Sequence, residues 1–150
     1  MTLTPPQADQ TSSESPSVLL VDDNEAFLEY AASILALRYA VVGTVRNGPA
    51  ALEAAAVLHP DVIVIDMSMP GMNGIEVLNR LRQSGSTAAV VFLSVYEEDE
   101  IILAAREAGA SGYVLKQNVH SHLELAVREA CAGRAFTSTT PRPGPTWNPD

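Results

Sequence analysis

Short apolar runs of strand length alternate with longer amphipathic segments along most of the chain. Five of these runs are rich in Val, Ile and Leu: SVLLV (17–21), YAVVG (39–43), DVIVI (61–65), AVVFL (89–93) and GYVL (112–115). Several are nearly continuous in apolar residues instead of alternating, which is typical of parallel strands covered on both faces. The pattern therefore predicts five strands of a parallel sheet, several of them covered on both faces.

The segments between the runs show helical periodicity and helix-end signals. The first has an apolar face at three- and four-residue spacing, formed by Phe27, Tyr30, Ala31, Ile34 and Leu35. Pro49 suits a helix start, and Gly109 suits a helix stop. Ser121 and Glu124 have the spacing of a capping box at the start of the last helix.

Strict alternation of five strands and five helices predicts a doubly wound (βα)5 sandwich of the α/β class. Right-handed crossovers place the carboxyl ends of all the strands at one edge of the sheet. Ligands of such folds bind at that edge, where the strand order reverses. We therefore look for functional side chains where the predicted strands end.

Composition narrows the class of protein. The 150 residues are 47% hydrophobic with a mean hydropathy of +0.09, which is enough for the core of one domain. The net charge of −9 argues against a nucleic-acid-binding surface, and the single cysteine, Cys131, excludes an internal disulfide. The chain shows neither a secretory signal nor an apolar run near the ~20 residues of a membrane span. We expect a cytoplasmic protein with no membrane partner.

The two ends of the chain differ from its centre. Residues 1–16 are polar and contain three prolines, so we expect a disordered lead-in. Residues 136–150 are rich in Pro and Thr, and we expect a flexible tail there. The folded domain is predicted to span residues 17–135.

Polar side chains follow four of the predicted strands. Asp22 and Asp23 come after the first strand, Asp66 after the third, Ser94 after the fourth and Lys116 after the fifth. Carboxylates about 4 Å apart in a partly shielded cleft repel by roughly 4 kcal/mol, and a divalent cation relieves this repulsion. Mg²⁺ favours such oxygen ligands and keeps open positions that a phosphate oxygen can fill. The pattern predicts a magnesium site beside Asp66, whose carboxylate can act as a nucleophile toward phosphorus.

From about Val18 to Arg134 the chain resembles the receiver domain of bacterial two-component response regulators. The resemblance rests on LLVDDNEAF, DVIVIDMSMPGMNGIEVL and VVFLSVYEEDEIILAAREAGASGYVLK. The phrases FLSVYEED and GASGYVLK are most similar to the NarL/LuxR-type branch, whose members usually carry a DNA-binding helix-turn-helix. The resemblance implies a CheY-like (flavodoxin-like) fold with a five-stranded parallel sheet in the order 2-1-3-4-5.

The resemblance also implies a metal-binding and phosphoacceptor role for particular residues. Asp66 matches the phosphoacceptor of the family. Asp22 and Asp23 match its acidic pair, with Asp23 favoured as the direct metal ligand. Ser68 stands where the family lends a backbone carbonyl to the metal. The expected cofactor is Mg²⁺, with Mn²⁺ as a substitute.

Three further residues match the family's catalytic and switch positions. Ser94 matches the conserved hydroxyl and Lys116 the invariant lysine, both of which assist phosphoryl transfer. Ser94 and Tyr113 match the pair whose rearrangement follows phosphorylation. Gln117 stands where the family often has proline, which leaves the geometry of the preceding peptide open.

The resemblance implies a signalling switch that is not an enzyme acting on an external substrate. A sensor histidine kinase or phosphotransfer protein would donate the phosphoryl group. The face formed by the fourth helix, fifth strand and fifth helix would then bind an output protein or a second copy of the chain. Because no recognition-helix pattern follows residue 135, we expect a stand-alone receiver or a receiver fragment without nucleic-acid binding of its own.

Two alternatives stay open from the sequence. The first is a magnesium-dependent phosphohydrolase that forms an aspartyl phosphate, although such enzymes commonly place a second Asp where this chain has Ser68. The second is a degenerate receiver that only docks to a partner. The complete set of site residues argues against this second alternative.

Overall fold

The computed structural model of the protein describes residues 15–138. Its strands are β1 (Ser17–Val21), β2 (Ala40–Val45), β3 (Val62–Asp66), β4 (Ala89–Ser94), β5 (Gly112–Leu115) and β6 (Phe136–Thr137). Its helices are α1 (Glu25–Leu35), α2 (Gly48–Leu58), α3 (Gly74–Gln83), α4 (Asp99–Glu107) and α5 (Val119–Cys131), with a 3-10 turn at Lys116–Asn118. The strands form one parallel sheet in the order β2-β1-β3-β4-β5-β6, which confirms the predicted order of the first five.

The two faces of the sheet are sealed by different helices. In the central strand β3, Ile63 and Ile65 point to one face, whereas Val62 and Val64 point to the other, and all four are fully buried. Helices α2, α3 and α4 cover the isoleucine side, and α1 and α5 cover the valine side. Burial on both faces explains why the sequences of β1, β3, β4 and β5 are nearly continuously apolar. Strand β2, at the edge of the sheet, is only exposed or half-buried.

Strand β6 is an addition to the predicted sheet. Phe136 and Thr137 pair in parallel with Gly112 and Tyr113, so that β6 lies along the outer edge of β5. The composition of residues 136–150 predicted a flexible tail there, and a two-residue strand is too short to show a periodicity in the sequence. The remaining tail (139–150) and most of the predicted lead-in (1–14) lie outside the described residues.

Two predicted helix starts and one helix stop can be compared with the structure. Pro49 lies in the first turn of α2, and Gly109 adopts a φ of 108° just after α4, as expected. The predicted capping box of Ser121 and Glu124 is wrong, because α5 begins earlier, at Val119. The Ser121 hydroxyl instead donates a hydrogen bond to a backbone carbonyl of the preceding turn.

The apolar face predicted for α1 is only partly right. Ala31 and Leu35 are buried as expected, together with Leu28, which the prediction left out. Tyr30 is 48% exposed, so the buried stripe is rotated from the predicted one. Within residues 15–138, none of the helices combines the length and apolarity that crossing a membrane requires.

Candidate functional site

The carboxyl edge of the sheet brings together the chemistry that the sequence placed at the strand ends. Carboxylate oxygens of Asp22, Asp23 and Asp66 all lie within 4.8 Å of one another. The Lys116 ammonium lies 2.8 Å from Oδ2 of Asp22 and 3.5 Å from Oδ2 of Asp66. Ser94 is the last residue of β4, the strand next to β3, and only 1% of its surface is exposed. Parallel strand order therefore gathers residues from distant parts of the chain.

Asp22 is held by neighbours on both of its carboxylate oxygens. Its Oδ1 accepts a hydrogen bond of 2.9 Å from the backbone N–H of Asn24, and its Oδ2 faces the Lys116 ammonium. The side chain is fully buried. A buried carboxylate needs such partners, because an unpaired charge in this environment is costly.

Asp23, in contrast, is exposed. Its backbone carbonyl accepts a hydrogen bond of 3.3 Å from the Arg46 guanidinium, which fixes the chain after β1. Its carboxylate completes the acidic cluster from the solvent side. Of the acidic pair, Asp23 is thus the member that can reach an ion without giving up a buried partner.

Asp66 lies at the end of β3 and is 4% exposed. Burial raises the pKa of its carboxyl, and the charges of Asp22 and Asp23 raise the pKa further. The backbone N–H of Ser68, 3.0 Å from Oδ1, and the Lys116 ammonium act in the opposite direction and lower it. The net effect is a raised pKa, so an additional cation would favour the ionised form.

The donor set fits a small hard cation. Three carboxylates within 4.8 Å supply oxygen ligands only, two from buried residues and one from an exposed residue. One ammonium offsets part of the charge of three carboxylates, which leaves the cluster electrostatically incomplete. Ser68 lies two residues beyond Asp66, and the assignment of its carbonyl as a metal ligand stays a prediction.

The two predicted switch residues are connected through the backbone N–H and carbonyl of Tyr96. The backbone N–H of Tyr96 donates a hydrogen bond of 3.0 Å to the Ser94 hydroxyl oxygen. The backbone carbonyl of Tyr96 accepts a hydrogen bond of 2.8 Å from the Tyr113 hydroxyl. Tyr113 is 3% exposed, so its ring occupies the inward position, and burial raises the pKa of its hydroxyl. A shift of the Ser94 hydroxyl would therefore disturb the backbone of Tyr96, to which the Tyr113 hydroxyl is hydrogen-bonded.

The peptide after the lysine has an ordinary geometry. No cis peptide bond occurs within residues 15–138, so the Lys116–Gln117 bond is trans. The side-chain amide of Gln117 donates a hydrogen bond of 3.1 Å to Glu97 in the loop before α4. This bond joins the loops that follow β4 and β5, which carry Ser94 and Lys116.

One neighbour of the site could not be found from motif spacing. The Lys116 ammonium lies 4.6 Å from the centroid of the Phe27 ring in the first turn of α1. Periodicity marked Phe27 only as part of an apolar helix face. Its contact with the lysine depends on how α1 lies against the end of β5, which no local pattern encodes.

Comparison with known proteins agrees with this geometry. The chain matches the response regulator receiver domain family over residues 18–128. The nitrate/nitrite response regulator protein NarL of Escherichia coli K12 is 34% identical over 130 residues, covering 85% of this chain and 60% of NarL. The chain thus spans about 60% of the length of this relative.

Solved structures show the same fold. A LuxR-family two-component response regulator from Aurantimonas sp. SI85-9A1 aligns with a TM-score of 0.79 and 31% identity over 83% of this chain and 90% of that chain. The signal receiver domain of a NarL response regulator from Mycobacterium tuberculosis aligns with a TM-score of 0.76 and 33% identity over 81% of this chain and 99% of that chain. The chain belongs to the response regulator receiver domain family and resembles its NarL/LuxR-type members.

Proposed function

We propose that Asp66 accepts a phosphoryl group from a sensor histidine kinase or a phosphotransfer protein, and that this transfer switches a protein-interaction face. The observation that carries the proposal is the position of Asp66, buried within 4.8 Å of two further carboxylates and 3.5 Å from an ammonium. This is a site for a nucleophilic carboxylate surrounded by groups that can hold a charged phosphoryl donor.

In the transfer, a carboxylate oxygen of Asp66 attacks phosphorus, forming an O–P bond. The bond between phosphorus and the imidazole nitrogen of the donor breaks, and the electron pair leaves with the imidazole. The Lys116 ammonium and the Ser94 hydroxyl can both donate hydrogen bonds to the phosphoryl oxygens. The Ser94 oxygen accepts a hydrogen bond from the backbone N–H of Tyr96, and its own O–H group is the donor that would turn toward the phosphoryl oxygens.

A divalent cation would complete the site. Asp23, Asp66 and the carbonyl of Ser68 would hold Mg²⁺, with Asp22 next to them, and Mn²⁺ could replace it. When bound, the cation neutralises charge that builds up on the transferring phosphoryl group. The raised pKa of Asp66 supports this assignment, because the metal-free cluster disfavours the ionised carboxylate that the attack requires.

The conformational change would be transmitted through the backbone N–H and carbonyl of Tyr96. A phosphoryl group on Asp66 would draw Ser94 toward it, and the hydrogen bonds of Tyr96 to Ser94 and Tyr113 would carry that shift to β5. This would bias a two-state equilibrium at the face formed by α4, β5 and α5, where an output protein or a second copy would bind. Because β6 lines the outer edge of β5, a partner at this face would also meet Phe136.

Intact-mass measurement after incubation with acetyl phosphate and Mg²⁺ tests the proposal. The wild-type protein should gain one phosphoryl group, and Asp66→Asn should gain none. Asp61→Asn is a matched control, because Asp61 lies before β3 at the opposite edge of the sheet, where Ser17 binds it. EDTA should abolish the gain.

The same experiment separates the rivals. Sustained turnover of a phosphate monoester, offered in place of acetyl phosphate, would support a phosphohydrolase. No gain and no hydrolysis with any donor would support a docking module. Either result would contradict the proposed phosphoacceptor role.

A further inference from the structure

The Lys116 ammonium has three neighbours of different character. Two are the carboxylates of Asp22 and Asp66, at 2.8 Å and 3.5 Å. The third is the aromatic ring of Phe27, whose centroid lies 4.6 Å from Nζ. The lysine side chain is only 23% exposed, so this ring takes the place of water on one side of the charge.

An aromatic ring attracts a cation through the negative face of its quadrupole, and the attraction extends to about 6 Å from the centroid. Phe27 therefore stabilises the ammonium without adding a formal negative charge. A third carboxylate at this place would hold the lysine more strongly and would compete with an incoming phosphoryl group. A neutral aliphatic side chain would exclude water but would leave the ammonium less well placed.

We propose that Phe27 is a positioning residue for Lys116: its ring face holds the ammonium beside Asp66 and leaves it able to turn toward the phosphoryl oxygens. The inference rests on the proposed function of Asp66 and Lys116. The backbone of Phe27 is fixed at the start of α1, because its N–H donates a hydrogen bond of 2.9 Å to the side chain of the N-cap residue Asn24. The ring also meets Tyr30 edge-on, with centroids 6.4 Å apart.

A purely structural role for Phe27 is the competing explanation, since the ring also packs against the cluster beneath α1. Phe27→Leu alone cannot separate the two roles, because it removes packing and the ring face together. Substitution by mono-, di- and trifluorinated phenylalanine keeps the shape of the ring and weakens its negative face stepwise. Phe136 is the matched control position, because it packs on the same core cluster and its ring meets His122.

The phosphorylation rate with acetyl phosphate and Mg²⁺ is the first measurement. We expect the logarithm of the rate to fall steadily with each added fluorine at position 27, reaching a loss of about threefold to tenfold. The same series at position 136 should give no trend. The affinity for Mg²⁺ should change by less than about twofold at either position, because the Phe27 ring contacts the lysine ammonium and none of the proposed metal ligands.

The second measurement needs neither metal nor donor. The ε-methylene protons of Lys116 lie near the ring face, so their NMR resonances should be shifted upfield in the wild type and should return toward ordinary values in Phe27→Leu. Absence of that shift, or a flat fluorine series in a protein that is phosphorylated, would overturn the inference. A wild-type protein that is not phosphorylated would instead contradict the proposed function.

Discussion

Lys116 Nζ lies 2.8 Å from Oδ2 of the buried Asp22. This pairing divides the acidic cluster into two roles. One carboxylate oxygen of Asp22 pairs with the Lys116 ammonium, and the other accepts a hydrogen bond from the backbone N–H of Asn24. Asp23 is exposed, and we propose that its carboxylate is the member of the pair that binds the metal.

The division of roles predicts unequal effects on metal binding. Asp23→Asn should weaken Mg²⁺ binding by about tenfold or more, because it removes a charged oxygen ligand. Asp22→Asn should weaken it less, and should mainly loosen Lys116. Isothermal titration of Mg²⁺ into both variants checks this ranking. A larger loss of affinity for Asp22→Asn would show that the assignment of the two aspartates is reversed.

The raised pKa of Asp66 predicts a pH dependence of stability in the metal-free protein. Because burial raises this pKa from 3.8, the folded protein binds the proton more tightly than the unfolded chain does. The free energy of unfolding should therefore fall as pH rises from about 4 through the raised pKa. Asp66→Asn should remove this fall and should be more stable than the wild type at neutral pH.

Urea unfolding of the wild type and Asp66→Asn in EDTA across this pH range tests the expectation. An Asp66→Asn variant with the same slope as the wild type would contradict the assignment of the titration to Asp66.

Gly74 should be intolerant of any side chain. A Cβ at this first residue of α3 would lie 2.8 Å from the Phe92 ring, 3.0 Å from the Met67 Cα and 3.2 Å from the Asp66 carbonyl oxygen. The backbone atoms of the strand end cannot yield easily, so Gly74→Ala should lower the free energy of unfolding by about 1–3 kcal/mol. Phosphorylation should also slow, because the backbone of Asp66 must shift.

Gly43→Ala is the matched control for Gly74. Its Cβ would meet only the ends of two leucine side chains, each at 3.3 Å, and a small shift of these ends would relieve the contact. Its cost should therefore be smaller than that of Gly74→Ala. Urea unfolding and phosphorylation rates measured on both variants check the ranking, and an equal cost would contradict the backbone clash.

The docking of β6 depends on Ser138. Its hydroxyl oxygen accepts a hydrogen bond of 3.0 Å from the backbone N–H of Leu115 and lies 2.9 Å from Nδ1 of His122. Ser138→Ala should destabilise the protein by about 1 kcal/mol. It should also speed hydrogen exchange at the Leu115 amide, which mass spectrometry of peptic peptides can follow.

Ser33→Ala is the control for Ser138, since Ser33 bonds only to a carbonyl of its own helix on the exposed surface of α1. It should leave exchange in β5 unchanged. Equal protection of the Leu115 amide in the wild type and Ser138→Ala would show that β6 does not hold the edge of β5.

The sequence predicted best those features that follow from the burial of the strands and from their order along the chain. Continuous apolar strands predicted the two-sided sheet, and the positions of Asp66 and Lys116 after strands predicted their convergence. Asn73 and Glu76 form a true capping box at the start of α3, whereas the sequence pattern predicted one at Ser121 and Glu124. A spacing of three residues is too common to locate a helix end without the backbone.

Features that depend on contacts between distant elements were not readable from local pattern. Strand β6 pairs with β5 and packs Phe136 on the core cluster, and its two residues have no periodicity. The backbone N–H and carbonyl of Tyr96 join Ser94 and Tyr113, and every residue type except proline carries both groups. Such contacts follow from the packed fold and leave no signature in residue type.

Chemical trapping of the acyl phosphate tests the central claim most directly. After phosphorylation by acetyl phosphate with Mg²⁺, borohydride reduces an aspartyl phosphate to homoserine, and peptide mass spectrometry locates the reduced residue. The account predicts homoserine at position 66 and at no other aspartate of the cluster. Reduction at Asp22 or Asp23, or a phosphorylated protein with an unreduced Asp66, would contradict it.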